Sequence, residues 1–101
     1  MIELGGNITL VGFKELEPAK LIVVKKMIGT YAKKIADQAG LKELKVELKT
    51  THNKSKEADK QKYEIKANVH TEKKAYNAEI TQFNLFYALD EVLGKIIAQI
   101  E

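Results

Sequence analysis

Lys74-Ala-Tyr-Asn-Ala-Glu-Ile-Thr-Gln82, followed almost at once by Asn84-Leu-Phe-Tyr-Ala-Leu-Asp-Glu-Val-Leu-Gly-Lys95, is the stretch that decides the fold. In its first half Tyr76, Ala78 and Ile80 alternate with polar residues, the period of two that gives a strand one buried face. In its second half Leu85, Leu89, Val92, Leu93, Ile96 and Ile100 fall on one arc of a helix. Asn84 stands at the position where a side-chain oxygen caps the first turn. Phe86 and Ile97 widen the apolar arc toward one side, beyond what one sheet face covers, which makes them candidates for a protein interface.

Upstream, Tyr63, Ile65, Ala67 and Val69 alternate with Glu64, Lys66, Asn68 and His70, and Leu44, Val46 and Leu48 alternate with Lys45, Glu47 and Lys49. Both segments predict strands with a solvated face. Between them His52 to Lys60 is polar and without period, so a long hairpin loop is expected there, and a tighter turn at Glu72-Lys73. Ala19 to about Ala39 places Leu21, Val24, Ile28, Tyr31 and Ile35 at three- and four-residue steps, with Pro18 at the start and Gly40 at the stop. Asn7 to Phe13, after Gly5-Gly6, reads as the first strand. The order β-α-β-β-β-α predicts one α+β domain over residues 1–101: a four-stranded mixed sheet with both helices packed on one face. The first helix must be a crossover, so the first two strands are expected to be parallel and the rest an antiparallel meander.

The chain has 101 residues, 45% hydrophobic and 31% charged, which suits a single core. It has no cysteine, so disulfides, thiolate metal sites and cysteine nucleophiles are excluded. No basic segment followed by an apolar one opens the chain, and no apolar run approaches the roughly 20 residues that span a bilayer. A cytoplasmic location without membrane attachment is expected.

Catalytic constellations are lacking. Ser55 sits in the polar loop without an oriented base, and His52 and His70 fall at opposite ends of the hairpin, so neither catalysis, a metal site nor a cofactor is expected. Glu47, Glu64 and Glu79 are interleaved with Lys45, Lys49 and Lys66, the pattern of a solvated sheet face. The basic residues are all lysine, 17 without one arginine, which disfavours bidentate reading of base edges. Lysines can still follow phosphates without reading sequence. The candidates for RNA contact are Lys26 and Lys33 opposite the apolar stripe of the first helix, Lys34 on its flank, and Lys54, Lys56 and Lys60 in the loop. Tyr31, Tyr63 and Tyr76 fall in core-facing phase, whereas Tyr87 is the free aromatic, on the polar side of the last helix.

The last-helix sequence Leu85, Phe86, Tyr87, Ala88, Leu89, Asp90, then Lys95, Ile96 and Gln99, resembles that of the ribosome hibernation-promoting and ribosome-associated translation inhibitor proteins. Lys42 to Leu48 and Lys62 to Lys66 are weaker echoes of the same family. The resemblance implies a strand-helix-three-strand-helix domain, no catalysis, and binding to the small ribosomal subunit and its RNA. It adds Lys95 to the RNA-contact candidates by motif position. Where the family shows further basic residues on its last helix, this chain has Ile97 and Ala98. The alternative from a different class is a self-association module that forms a homo-oligomer through the apolar last helix and a sheet edge.

Overall fold

The computed structural model describes residues 1–52 and 61–101. Pro18–Ala39 forms α1 and Leu85–Ile100 forms α2. Five strands, Ile2–Leu4 (β1), Ile8–Val11 (β2), Leu41–His52 (β3), Gln61–Thr71 (β4) and Ala75–Gln82 (β5), make one sheet in the order β1-β2-β3-β4-β5. As expected of a crossover helix, β2 and β3 are parallel, while β3, β4 and β5 form an antiparallel meander. The sheet has five strands rather than four. Three residues are too few to show alternation, and Gly5-Gly6 is the turn of a hairpin rather than the boundary of the first strand: both glycines have positive φ, and β1 folds back antiparallel on β2.

The alternation read from sequence sets the core. Leu44, Val46 and Leu48 on β3 and Tyr63, Ile65, Ala67 and Val69 on β4 are buried beneath the helices. Tyr76, Ala78 and Ile80 on the edge strand β5 are half-buried against the same core, because no further strand flanks them. From α1 come Val24, Ile28, Ala32 and Ile35, and from α2 Leu85, Ala88, Leu89, Val92, Leu93 and Ile96. Each fully buried aliphatic side chain contributes about 1.5–3 kcal/mol, so this layer holds the helices to the sheet. Leu21 and Tyr31, expected in the α1 stripe, lie on its flanks and are half-buried.

Local signals close each element. The Asn84 side chain accepts from the Tyr87 N–H at 2.9 Å, and the Gly40 N–H donates to the Ala36 carbonyl at 3.1 Å. Gly40 then accepts from the Glu72 N–H at 3.3 Å, tying the end of α1 to the β4–β5 turn. In that turn the Thr71 hydroxyl donates to the Lys74 carbonyl and accepts from the Lys74 N–H. The predicted loop, with Ser55, Lys54, Lys56 and Lys60, lies outside the described residues. Among the described residues no helix is long and apolar enough to cross a membrane.

Candidate nucleic-acid interface

The sheet face away from the helices is electrically balanced. Strand register places Glu47 beside Lys66 and Lys66 beside Glu79, with Lys49 beside Glu64, so opposite charges alternate along and across the strands. Lys45 pairs with Glu47 at 3.2 Å and Lys66 with Glu79 at 3.9 Å. A shallow depression lined by Glu64, Lys66, Glu79 and Thr81 lies on this face. It brings both signs of charge together and presents no oriented nucleophile. Among the described residues no three His, Asp or Glu side chains converge as metal ligands, and His70 is exposed.

The imbalance lies on α1, which carries five lysines (Lys20, Lys25, Lys26, Lys33, Lys34) against one acid, Asp37. Among the described residues no ion pair engages any of them. Lys26 and Lys33 are exposed and seven residues apart, which puts them two turns, about 10.5 Å, along one side of the helix. Burial of Val24, Ile28, Ala32 and Ile35 turns that side outward. Lys25, also exposed, was not singled out from the sequence, although its place in the Lys25-Lys26 pair is a signal for it.

Lys34 is held differently. Its Nζ lies 5.2 Å from the centre of the Tyr31 ring, and the Tyr31 hydroxyl donates to Asp90 Oδ1 on α2 at 2.6 Å. That hydrogen bond to a carboxylate, with desolvation second, pushes the Tyr31 phenol up to about 12. A raised phenol pKa means that the neutral form is favoured in the fold. The bond therefore stabilises fully below about pH 10, where a free phenol titrates, and its contribution is lost as pH rises through about 12. Tyr31→Phe should lower stability by about 1 kcal/mol at neutral pH, a value discounted for solvent exposure. Melting curves of the two proteins should converge above pH 12; a gap unchanged there would rule out the hydrogen bond as its source.

The same contact orients α2. Asp90 marks the side of α2 that faces α1, and Phe86 and Ile97 lie on that side, at helical positions four before and seven after it. Both are half-buried and packed against the core. The opposite side faces β5: Gln82 donates to Glu91 Oε1 at 3.3 Å and Gln99 to the Asn77 carbonyl at 2.8 Å. Lys95 is exposed four residues from each of Glu91 and Gln99, so it belongs to the β5 side. The fold thus groups Lys26 and Lys33, sets Lys34 at the α1–α2 seam, and puts Lys95 on the other side of α2 from that seam.

Two further residues stand out on α2 and beside it. Phe83, between β5 and the Asn84 cap, is 54% exposed, and Tyr87 is 62% exposed. Lys62 of β4 places its Nζ 5.6 Å from the centre of the Phe83 ring. Sequence reading identified Tyr87 as free but missed Phe83 and Lys62, which are 21 positions apart and meet only through the β4–β5 pairing of Tyr63 with Gln82.

No family model matches the chain, and no curated protein matches it. Solved structures do. A ribosomal subunit interface protein from Coxiella burnetii superposes with a TM-score of 0.62 at 18% identity, over 93% of this chain and 90% of that one. The N-terminal domain of Thermus thermophilus Protein Y superposes with a TM-score of 0.59 at 14% identity, over 92% of this chain and 91% of that one. At such identities the likeness is one of fold, and it bears out at that level the resemblance carried by residues 74–100. The chain has the α+β fold of a ribosomal subunit interface protein and of the Protein Y N-terminal domain along nearly its whole length.

Proposed function

We propose that this protein is a non-enzymatic, ribosome-associated factor of the hibernation or translation-inhibitor type, which binds the RNA of the small subunit electrostatically. The observation that carries the reading is the lysine side of α1: exposed cations without acidic partners on a fold shared with a ribosomal subunit interface protein. Lys26 and Lys33 are the principal phosphate contacts, with Lys25 beside them and Lys34 at the seam. Lys95, on the far side of α2, reaches a different stretch of RNA backbone or none. Lys54, Lys56 and Lys60 belong to the proposal by sequence.

The test is co-sedimentation with purified small ribosomal subunits at low and raised salt. Binding should saturate near one copy per subunit and weaken with salt, because each neutralised phosphate adds roughly one to the log–log salt slope. The double reversal Lys26→Glu/Lys33→Glu should weaken binding by about tenfold or more and flatten that slope by about two. Unchanged affinity in the double variant would remove α1 from the interface. Absence of binding at low salt, together with a mass that grows with concentration, would favour self-association through Phe86 and Ile97.

A further inference from the structure

We infer that Phe83 and Tyr87, with Lys62 beside Phe83, form a stacking platform for unpaired RNA bases, a contact distinct from the phosphate-following lysines of α1. The inference rests on the RNA-binding reading above and adds to it the kind of RNA that is held: single-stranded and splayed, with little preference for sequence.

Phe83 and Tyr87 are not used by the core. Their neighbours Leu85, Ala88 and Leu89 are buried and do that work, while 54% of Phe83 and 62% of Tyr87 remain in water. Met1 and Ile22 are exposed to a similar degree, but they are aliphatic, whereas Phe83 and Tyr87 each present a π-face on which a base can stack. Phe83 immediately precedes the Asn84 cap, and Tyr87, in the first turn of α2, donates its N–H to the Asn84 side chain, so both rings project from the same capped helix start. Among the described residues the Tyr87 side chain makes no hydrogen bond, so its ring is free to take up a partner.

The chemistry around the rings selects the occupant. Lys62 Nζ lies 5.6 Å from the Phe83 ring centre, at an exposed site where a cation–π contact is weak and readily exchanged for a phosphate. Beyond Tyr87 the carboxylates of Asp90 and Glu91 accept from Tyr31 and Gln82. Phosphate is thereby favoured at the Lys62 end and disfavoured at the Asp90 end. Two half-exposed rings offer roughly 200–300 Å² of apolar surface, far below the ~800 Å² per partner of a stable protein interface, yet enough for one or two bases. Aromatic rings stack on every base because each has a π-face, whereas an arginine-free protein has little with which to read base edges.

The chain contains no tryptophan, so Phe83→Trp places the sole tryptophan at the platform, and excitation at its red edge reads it apart from the tyrosines. Titration with 12-nucleotide oligo(U) and oligo(A) should quench that tryptophan, and affinity should match or exceed that of the unaltered protein. Phe83→Ala/Tyr87→Ala should weaken binding of the same oligonucleotides about tenfold while leaving the salt slope unchanged, because a base contact and not a phosphate contact is lost. Since both side chains are exposed, the double variant should melt within a few degrees of the parent. Unaltered affinity in that variant, with the parent still bound by the oligonucleotides and by the small subunit, overturns the platform and leaves the lysine reading intact. An unquenched tryptophan in a bound complex overturns it as well. Failure of the parent to bind RNA of any kind removes both readings. Loss of a concentration-dependent dimer in the alanine variant, with RNA binding intact, would reassign the rings to a protein contact.

Discussion

Replacing Gly12 by alanine should unfold this protein or lower its stability by about 3 kcal/mol or more. Two independent costs meet at that position. Gly12 has φ of +84°, a conformation that an L side chain occupies at a cost of about 1–2 kcal/mol. A Cβ built there would also lie 2.1 Å from the Leu48 carbonyl oxygen and 3.2 Å from its carbon. Leu48 pairs with Ile65 of β4 and directly follows Glu47, the last residue paired with β2, so its carbonyl cannot retreat without straining the sheet on both sides. For a domain of this size a loss of 3 kcal/mol corresponds to a fall in Tm of more than about 10 °C. Gly6→Ala is the control: its φ is +83°, but nothing lies within 4 Å of the added carbon, so only the conformational cost of about 1–2 kcal/mol applies. Equal melting temperatures for the two variants would show that the approach to Leu48 carries no weight.

Phe13→Ala should cost about 3–5 kcal/mol, the range for truncating a buried aromatic ring. Phe13 is fully buried and is the largest such side chain among the described residues, although it lies beyond the end of β2 and outside any helix. Its carbonyl accepts from the Leu16 N–H at 3.2 Å, closing the turn that leads into α1. Truncation leaves a cavity where the sheet, the entry to α1 and the core meet, and rigid strand pairing on one side prevents collapse around it. Urea denaturation should show the midpoint falling with an unchanged slope. Phe13→Leu, which keeps most of the volume, should recover more than half of the loss; a Phe13→Ala midpoint close to the parent's would show that the ring is dispensable.

These residues mark the boundary of what the sequence made legible. Period two in β3, β4 and β5 and period 3.6 in both helices are local consequences of a chain with one wet and one dry side, so the elements, their order and most of the core were readable. The parallel β2–β3 pair followed as well, because a helix between two strands leaves little alternative. The β1 hairpin escaped for want of length. Tyr31 was in phase for the core yet turned to Asp90, because α1 and α2 share a seam that no single-helix pattern displays.

Of the candidate site, the inventory was legible in the chain: lysines without arginine, grouped on α1, and a free tyrosine on α2. Which of them act together depends on packing between elements. Lys26 and Lys33 share a side through helical geometry, which is local and therefore predictable, whereas the separation of Lys95 depends on which flank of α2 meets α1. The meeting of Lys62 with Phe83 depends on the register of β4 against β5. A helix fixes the angles between its own side chains, but its rotation against its neighbours is settled by packing between residues distant in sequence, and that information is not local.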